Sequence, residues 1–178
     1  MKDRSSRKKI RLENRDYSMN GAYFITICTK DRFPYLSEII DAPENVGAAA
    51  LGRPWVRLTE IGGIVDKNIL LINEKYEYAS VPKYIIMPDH IHMILNISEP
   101  QNDEHGGRPR AASPTKNVSL IVNALKTIST KQIGFSIWQR SYYDHIIRGE
   151  GEFAEIWRYI ENNPENHANN IFNQNLWR

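Results

Sequence analysis

The sequence is poor in cysteine and contains no long apolar run, and both absences narrow its class. Cys28 is the only cysteine among 178 residues, so an internal disulfide and a zinc site built on paired cysteines are excluded. No apolar run approaches the ~18 residues that a membrane-spanning helix requires. The basic N-terminus runs into the polar segment 12–16 rather than into an apolar one, so we do not expect it to be a secretory signal. We therefore expect a cytoplasmic protein without membrane contact, in which any metal is held by His, Asp, Glu or Asn.

The composition fits one folded domain that carries a basic arm. With 41% hydrophobic, 10% aromatic and 25% charged residues, the chain is globular, and its length favours a single core. Residues 1–15 hold seven Lys or Arg against two acids, a net charge of +5, whereas the whole chain is +2 and the remainder therefore −3. Such an arm suits a tethered contact with a polyanion, and it equally suits a solvated tail. We predict an arm over 1–15 and one domain over 16–178.

Hydrophobic periodicity predicts an alternation of strands and helices. A strand is predicted over 22–29, and a pair of strands is predicted within 81–97, with a bend near Met87-Pro88-Asp89. A further strand is predicted within 136–148, a segment that ends at Gly149-Glu150-Gly151. Helices are predicted over about 60–75, capped by Thr59, from Val118 onward, and around the stripe Phe153, Ile156, Trp157 and Ile160. The order β, α, β-β, α, β, α is typical of an α+β sandwich of the ferredoxin or RRM type.

Two segments between these elements are interpreted as surface insertions. The segment near 41–54 is rich in Ala, Gly and Pro, and the segment 98–117 contains prolines, a Gly-Gly pair and mostly polar residues. Neither is expected to carry chemistry, because both lie between predicted elements of one domain.

His90-Ile91-His92 lies in the second strand of the middle pair. Side chains two positions apart in a strand point the same way, so both imidazoles would project from one face and can converge on one ion. Ile91, Met93 and Leu95 occupy the opposite face, which helices would cover. Imidazoles by themselves suit Zn, Ni or Mn. The alternative is a pair of hydrogen-bonded structural histidines.

Tyr159 and Asn163 are four residues apart on the third predicted helix, at the edge of its apolar stripe. They would therefore lie on one helix face, where a phenol and an amide oxygen can meet one bound ion. Tyrosine becomes a plausible nucleophile only where a cation stabilises the phenolate or polarises the electrophile. The alternative is a tyrosine packed at the core edge with its hydroxyl at the surface.

Further basic and aromatic side chains could contact nucleic acid. The segment 138–145 mixes aromatic and charged residues, which suits base stacking as well as a half-buried strand. His145 could hold a metal ligand in place or act as a general base, or it could be structural. The candidate DNA contacts are Lys8, Lys9, Arg11, Arg15, Lys126, Lys131 and Arg140, although lysines such as Lys126 and Lys131 can also simply solvate an outer face.

Four stretches of the sequence together resemble the single-tyrosine HUH transposases, and especially the REP-associated tyrosine transposases of bacteria. They are Asp16-Tyr17-Ser18 with the segment 21–29, Met87-Pro88-Asp89-His90-Ile91-His92, the segment 138–148, and Tyr159-Ile160-Glu161-Asn162-Asn163-Pro164. They occur in the family's order and span most of the chain. The resemblance implies the HUH endonuclease fold, an antiparallel sheet with helices on both faces, which agrees with the predicted element order.

The resemblance also implies a chemistry and a substrate. It implies that His90 and His92 are metal ligands, that Tyr159 is the nucleophile, and that Asn163 completes the site. The metal would be Mg or Mn, as phosphoryl transfer favours a hard ion. The substrate would be single-stranded DNA with a hairpin nearby, cleaved and rejoined through a 5′-phosphotyrosine intermediate by a monomer or homodimer.

Two other functions remain open at this stage. One is a nickase of the relaxase or replication-initiator type, which uses the same histidine pair and a tyrosine. The other is a non-catalytic nucleic-acid-binding protein, in which only the basic arm and the aromatic residues would work. The presence of His90, His92, Tyr159 and Asn163 in one chain favours an enzyme.

Overall fold

The computed structural model describes residues 20–41, 54–98 and 118–165. The predicted arm over 1–15 lies outside these residues, as do nearly all of the predicted insertions near 41–54 and 98–117. The strands are β1 (Gly21–Cys28), β2 (Ser37–Ile40), β3 (Trp55–Leu58), β4 (Ala79–Ile86), β5 (His90–Ile97) and β6 (Tyr143–Ile147). The helices are α1 (Glu60–Lys75), α2 (Val118–Ile133) and α3 (Gly149–Glu161). In the part of the chain so described, no helix is both long enough and apolar enough to cross a bilayer.

A four-stranded antiparallel sheet with the order β4-β5-β1-β6 forms the centre of the fold. In its register, Thr26 of β1 faces His92 of β5, and Phe24 faces His145 of β6. Residues paired across strands, and residues two apart within a strand, share one face of a sheet. Phe24, Thr26, His90, His92 and His145 therefore lie on the same face.

Helices cover both faces of this sheet, which confirms the α+β architecture predicted from the sequence. On one face, α1 and α2 pack on the odd-numbered residues of β1 and β5 in a large core. On the histidine face, α3 packs in a smaller core formed by Phe24, Ile94, Ile147, Ile156 and Ile160. The expectation that Ile91, Met93 and Leu95 turn away from the histidines is confirmed, because these three are fully buried in the larger core.

Most predicted elements are present with small changes at their ends. The α1 helix begins as expected, with the Gly62 N–H donating to Thr59 Oγ1 at 3.0 Å. The β4–β5 bend closes through the Met87 N–H, which donates to the His90 carbonyl at 2.8 Å.

The last predicted strand lies within its segment 136–148, but it begins later and occupies only 143–147, the strand β6. It ends before Gly149, and Gly149 and Gly151 belong to α3. The reason is local, because the Glu152 carboxylate accepts the Arg148 N–H and so closes the first turn of the helix.

The short hairpin β2–β3 was not predicted from the sequence. Its strands have four residues each, too few for periodicity to be visible. The hairpin contacts the start of α1, because the Thr59 N–H donates to the Leu36 carbonyl at 3.0 Å and the Thr59 hydroxyl donates to the Tyr35 carbonyl at 2.7 Å. At this contact α1 carries Gly62, where an added Cβ would lie 1.9 Å from the Leu36 oxygen. Only glycine permits this approach.

Candidate active site

His92 lies at the middle of the α3-covered face and is held on several sides. Its Nδ1 is 2.9 Å from the Thr26 hydroxyl oxygen on the neighbouring strand, and its ring stacks on Phe24 at 5.2 Å between centroids. Only 7% of the residue is exposed. Burial, followed by the proximity of His90 and Arg32, holds the pKa of His92 well below its usual range. The imidazole is therefore neutral, the form that can bind a metal.

His90 is buried beside His92, and the two rings lie 4.5 Å apart between centroids. Its Nδ1 is 2.6 Å from Oδ1 of Asp89, and the other Asp89 oxygen is 3.3 Å from Nη1 of Arg32. A neutral imidazole that donates its Nδ1–H to a carboxylate carries its lone pair on Nε2. A carboxylate in this position is typical of metal-binding histidines, because it fixes the ring orientation and the tautomer.

The α3 helix brings Tyr159 onto the histidine pair. The Tyr159 hydroxyl lies 3.4 Å from Nε2 of His92, and the Tyr159 ring packs edge-on against Phe24. Burial raises the pKa of Tyr159, and a hydrogen bond from the buried Asn163 side chain partly opposes this rise. The phenol is thus protonated near neutral pH in the protein by itself.

The histidine pair by itself is not a complete metal site. Among residues 20–41, 54–98 and 118–165, no three His, Cys, Asp or Glu side chains are grouped so that they could hold a metal. His90 and His92 offer two imidazoles, and the Asn163 side chain, hydrogen-bonded to Tyr159, offers an amide group. Such a set fills only part of a coordination sphere, which suits a site where substrate oxygens complete it.

The other predicted residues occupy different places. His145 shares the sheet face of His92, but its Nε2 is 2.6 Å from a Glu152 oxygen and so links β6 to α3. The Tyr142 hydroxyl is 2.8 Å from the Ser119 hydroxyl, and Tyr142 packs against the larger core, on the other face of the sheet. Tyr143 packs at the edge of the smaller core.

The predicted DNA-contacting residues also differ from one another. The ammonium of Lys126 donates to the carbonyl of Gln139 at 2.6 Å, and burial lowers the pKa of Lys126. The structure thus gives this lysine a role in holding the chain before β6. Lys131 and Arg140 are exposed. Lys8, Lys9, Arg11 and Arg15 lie outside the described residues.

Three residues that support the site carry no clear mark in the sequence. The face on which Thr26 lies follows from alternation along β1. Its pairing with His92 depends on the register between β1 and β5, which one sequence does not reveal. Asp89 stands out only as part of a motif. Arg32 reaches Asp89 from a turn in which Asp31 and Arg32 both have positive φ, 55° and 58°, which is uncommon for residues other than glycine. No signal in the sequence marks that conformation.

The fold and the site together define an α+β protein with a buried histidine pair that faces a helix-borne tyrosine. No family model matches the sequence. The chain is 29% identical over 171 residues to a Haemophilus influenzae protein of unassigned function, with 89% of this chain and 88% of that protein covered. It is 26% identical over 170 residues to a second protein of that organism, named as a candidate REP-associated tyrosine transposase, with 86% and 76% covered.

A solved structure shows the same similarity in the fold. The structure of a REP-associated tyrosine transposase bound to a REP hairpin matches with a TM-score of 0.56 and 18% sequence identity. The match covers 88% of this chain and 74% of the other. The resemblance drawn from the sequence motifs is therefore confirmed, since the chain is similar to REP-associated tyrosine transposases in sequence and shares their fold.

Proposed function

We propose that this protein is a metal-dependent transposase or endonuclease that cleaves and rejoins single-stranded DNA near a hairpin through a 5′-phosphotyrosine intermediate. The observation that carries the proposal is the Tyr159 hydroxyl, 3.4 Å from Nε2 of the buried His92. Similarity to a protein named as a REP-associated tyrosine transposase supports the reaction class. The hairpin in the similar solved structure supports hairpin-bearing DNA as the ligand.

His90, His92 and Asn163 would hold the divalent ion, Mg or Mn. When bound, this ion supplies positive charge against a non-bridging oxygen of the scissile phosphate. Thr26 and Asp89 orient the two imidazoles from behind, since each contacts a ring Nδ1. Arg32 adds a fixed positive charge on the far side of Asp89.

Tyr159 would act as the nucleophile. A bond forms between its hydroxyl oxygen and phosphorus, and the bond from phosphorus to the 3′ oxygen breaks. The 3′ oxygen leaves as a hydroxyl, taking up a proton equivalent to the one that the tyrosine loses. The number of phosphodiester bonds is conserved, so attack by another 3′ hydroxyl reverses the step and joins DNA without ATP.

One chain supplies all of these groups. His90 and His92 lie on β5, while Tyr159 and Asn163 come from α3 and the turn after it. Because the tyrosine reaches the histidine pair within the same chain, we propose that a monomer is sufficient for cleavage.

The test is the covalent intermediate. A pool of single-stranded oligonucleotides, each with a hairpin and randomised flanks, is incubated with the protein and Mg²⁺ or Mn²⁺. A label at the 3′ end is required, because the tyrosine takes the 5′ phosphate of the 3′ fragment. We expect a labelled protein band in a denaturing gel that EDTA prevents. If the pool gives no such band with either metal, while the protein still binds the DNA, the chain is a binding protein and the proposal is wrong.

A further inference from the structure

Three aromatic residues form an exposed cluster at one end of the sheet, on the side of the larger core, against which Tyr35 packs. Phe33 is 57% exposed and Phe135 48% exposed, with Tyr35 half-buried between them. The Phe33 and Tyr35 ring centroids are 4.5 Å apart, and those of Tyr35 and Phe135 are 5.8 Å apart. We call Phe33, Tyr35 and Phe135 the aromatic cluster. It brings together two of the six large hydrophobic residues that are exposed in the described part of the chain, and contiguous exposed aromatic surface indicates a binding site.

The cluster is fixed to the turn that carries the metal-site residues. The Thr29 N–H and hydroxyl both donate to the Asp89 carbonyl at 2.9 Å, and the Leu36 N–H donates to the Pro88 carbonyl at 3.0 Å. The segment that bears Phe33 and Tyr35 is therefore anchored at both ends to the residues immediately before His90.

The third ring is tied to the same place. The Lys30 N–H donates to the Ile137 carbonyl at 2.7 Å, which joins the segment after α2 to the segment after β1. Phe135 is thus brought beside Tyr35 although it lies 100 positions further along the sequence. The aromatic cluster and the histidine pair are two parts of one hydrogen-bonded assembly.

Two cations precede the aromatic cluster in the same segment, and one of them reaches the residue before His90. Lys30 and Arg32 are exposed and precede Phe33 closely, and Arg32 reaches Asp89 at 3.3 Å. Asp31 is the one acid within this run, and its left-handed backbone, like that of Arg32, bends the chain between the two cations. Exposed aromatic rings interleaved with cations are the combination that binds single-stranded nucleic acid, because each base stacks and each phosphate meets a positive charge.

We propose that the aromatic cluster is a stacking subsite for the unpaired DNA bases that flank the cleaved phosphate. This inference rests on the proposed function, since cleavage at Tyr159 defines which phosphate is meant. Stacking on Phe33 and Phe135 would be tolerant of base identity, as every base has a π face. Arg32 and Lys30 would contact the backbone of the same strand on its way to the histidine pair.

Binding without cleavage tests the subsite. Each variant is made in the Tyr159→Phe background and assayed without metal by fluorescence anisotropy on labelled oligothymidylate of about 20 nucleotides. We expect Phe33→Leu or Phe135→Leu to weaken binding roughly 5- to 100-fold per base unstacked, and Phe33→Trp to retain it. Leucine stays apolar and removes the π face, so loss in the leucine variants with retention in the tryptophan variant separates stacking from general hydrophobic contact.

The matched control is Leu120→Ala. Leu120 is 50% exposed on α2, about 20 Å along the helix from its end at Ile133, and Phe135 lies two residues beyond that end. We expect this variant to bind the oligonucleotide as the parent does. If Phe33→Leu and Phe135→Leu also bind unchanged, the inference is overturned, and a change in sedimentation in these two variants would assign the cluster to protein contacts instead.

The inference and the proposed function fail separately. If the unsubstituted protein forms the covalent adduct but the leucine variants bind DNA normally, the reaction stands and the subsite is wrong. If the leucine variants lose DNA binding but no adduct ever forms, the subsite stands as a DNA-binding surface and the cleavage reaction is wrong.

Discussion

The imidazole of His92 is held at both of its nitrogen atoms, by the Thr26 hydroxyl at Nδ1 and by the Tyr159 hydroxyl at Nε2, at 2.9 and 3.4 Å. Thr26 comes from the adjacent strand of the sheet, while Tyr159 comes from the helix that packs on it. The ring is thereby fixed with its Nε2 edge toward the tyrosine. The candidate nucleophile Tyr159 and the candidate metal ligand His92 are thus in direct contact. Their roles can be separated only by substitutions that remove a single functional group.

Tyr159→Phe removes the hydroxyl and keeps the ring that packs on Phe24. We expect this variant to fold, to bind metal and to bind DNA, while the covalent adduct in the denaturing gel disappears. Tyr143→Phe is the matched control, because Tyr143 packs at the edge of the same smaller core. An adduct that persists in Tyr159→Phe would move the nucleophile to Tyr143, because Tyr142 packs on the other face of the sheet.

The candidate metal ligands are predicted to contribute unequally to metal affinity. His92→Ala should abolish binding of Mn²⁺ in calorimetry together with activity, because it removes an imidazole ligand. Asn163→Ala should be milder, since water can replace a neutral amide oxygen. Equal losses in the two variants would contradict this ranking.

Thr26→Val tests the support behind His92. The substitution is close to isosteric and removes only the hydroxyl that contacts Nδ1 at 2.9 Å. We expect roughly a 10- to 100-fold loss of Mn²⁺ affinity with the fold retained, as is common when the partner of a ligating histidine is removed. Unchanged affinity in the same calorimetric titration would mean that the contacts with Phe24 and Tyr159 are enough to orient the ring.

Replacing each of the two adjacent glycines of α1 by alanine should change the stability of the protein in opposite directions. Gly62→Ala places a Cβ against the Leu36 carbonyl, and we expect a loss of about 1–3 kcal/mol in the free energy of unfolding. At Gly63 an added Cβ meets nothing within 4 Å, so Gly63→Ala should stabilise the protein by about 0.5–1 kcal/mol through helix propensity. Urea denaturation of both variants measures the difference, and two shifts of the same sign would refute the close contact between α1 and the hairpin.

Deleting residues 1–15 tests the basic arm. If its seven basic residues contact phosphates, the truncated protein should bind single-stranded DNA more weakly and with a flatter salt dependence. The slope should change by about 0.7 log units of affinity per log unit of salt for each phosphate that the protein no longer neutralises. A slope identical to that of the full chain would make the arm a solvated tail.

The parts of the site that follow from local periodicity could be predicted from the sequence. Alternation in a strand places His90 and His92 on one face, and helical spacing places Tyr159 beside Asn163, so each pair is visible without knowledge of the other. The two pairs meet because α3 packs on the histidine face. The family resemblance implies this packing, whereas residue spacing alone does not predict it.

What escaped prediction depends on contacts between distant segments. Gly62 weakens the α1 helix by its propensity, and only the approach of the Leu36 carbonyl explains its presence. Lys126 has the sequence pattern of a surface cation, yet its ammonium lies on the Gln139 carbonyl. Phe33 and Phe135 carry no signal in the sequence, because they become neighbours only through the segments that join β1 and α2 to the rest of the sheet.

The smaller core under α3 has a consequence for how the site can vary. His90 and His92 share one strand, and Tyr159 and Asn163 share one helix and the turn after it, so the whole constellation consists of two rigid bodies with a single relative placement. Phe24 and Ile156 lie in the layer that sets this placement. A change of volume there displaces the hydroxyl with respect to both imidazoles at once, and the spacing of the reacting groups is therefore encoded in apolar residues that carry no chemistry of their own.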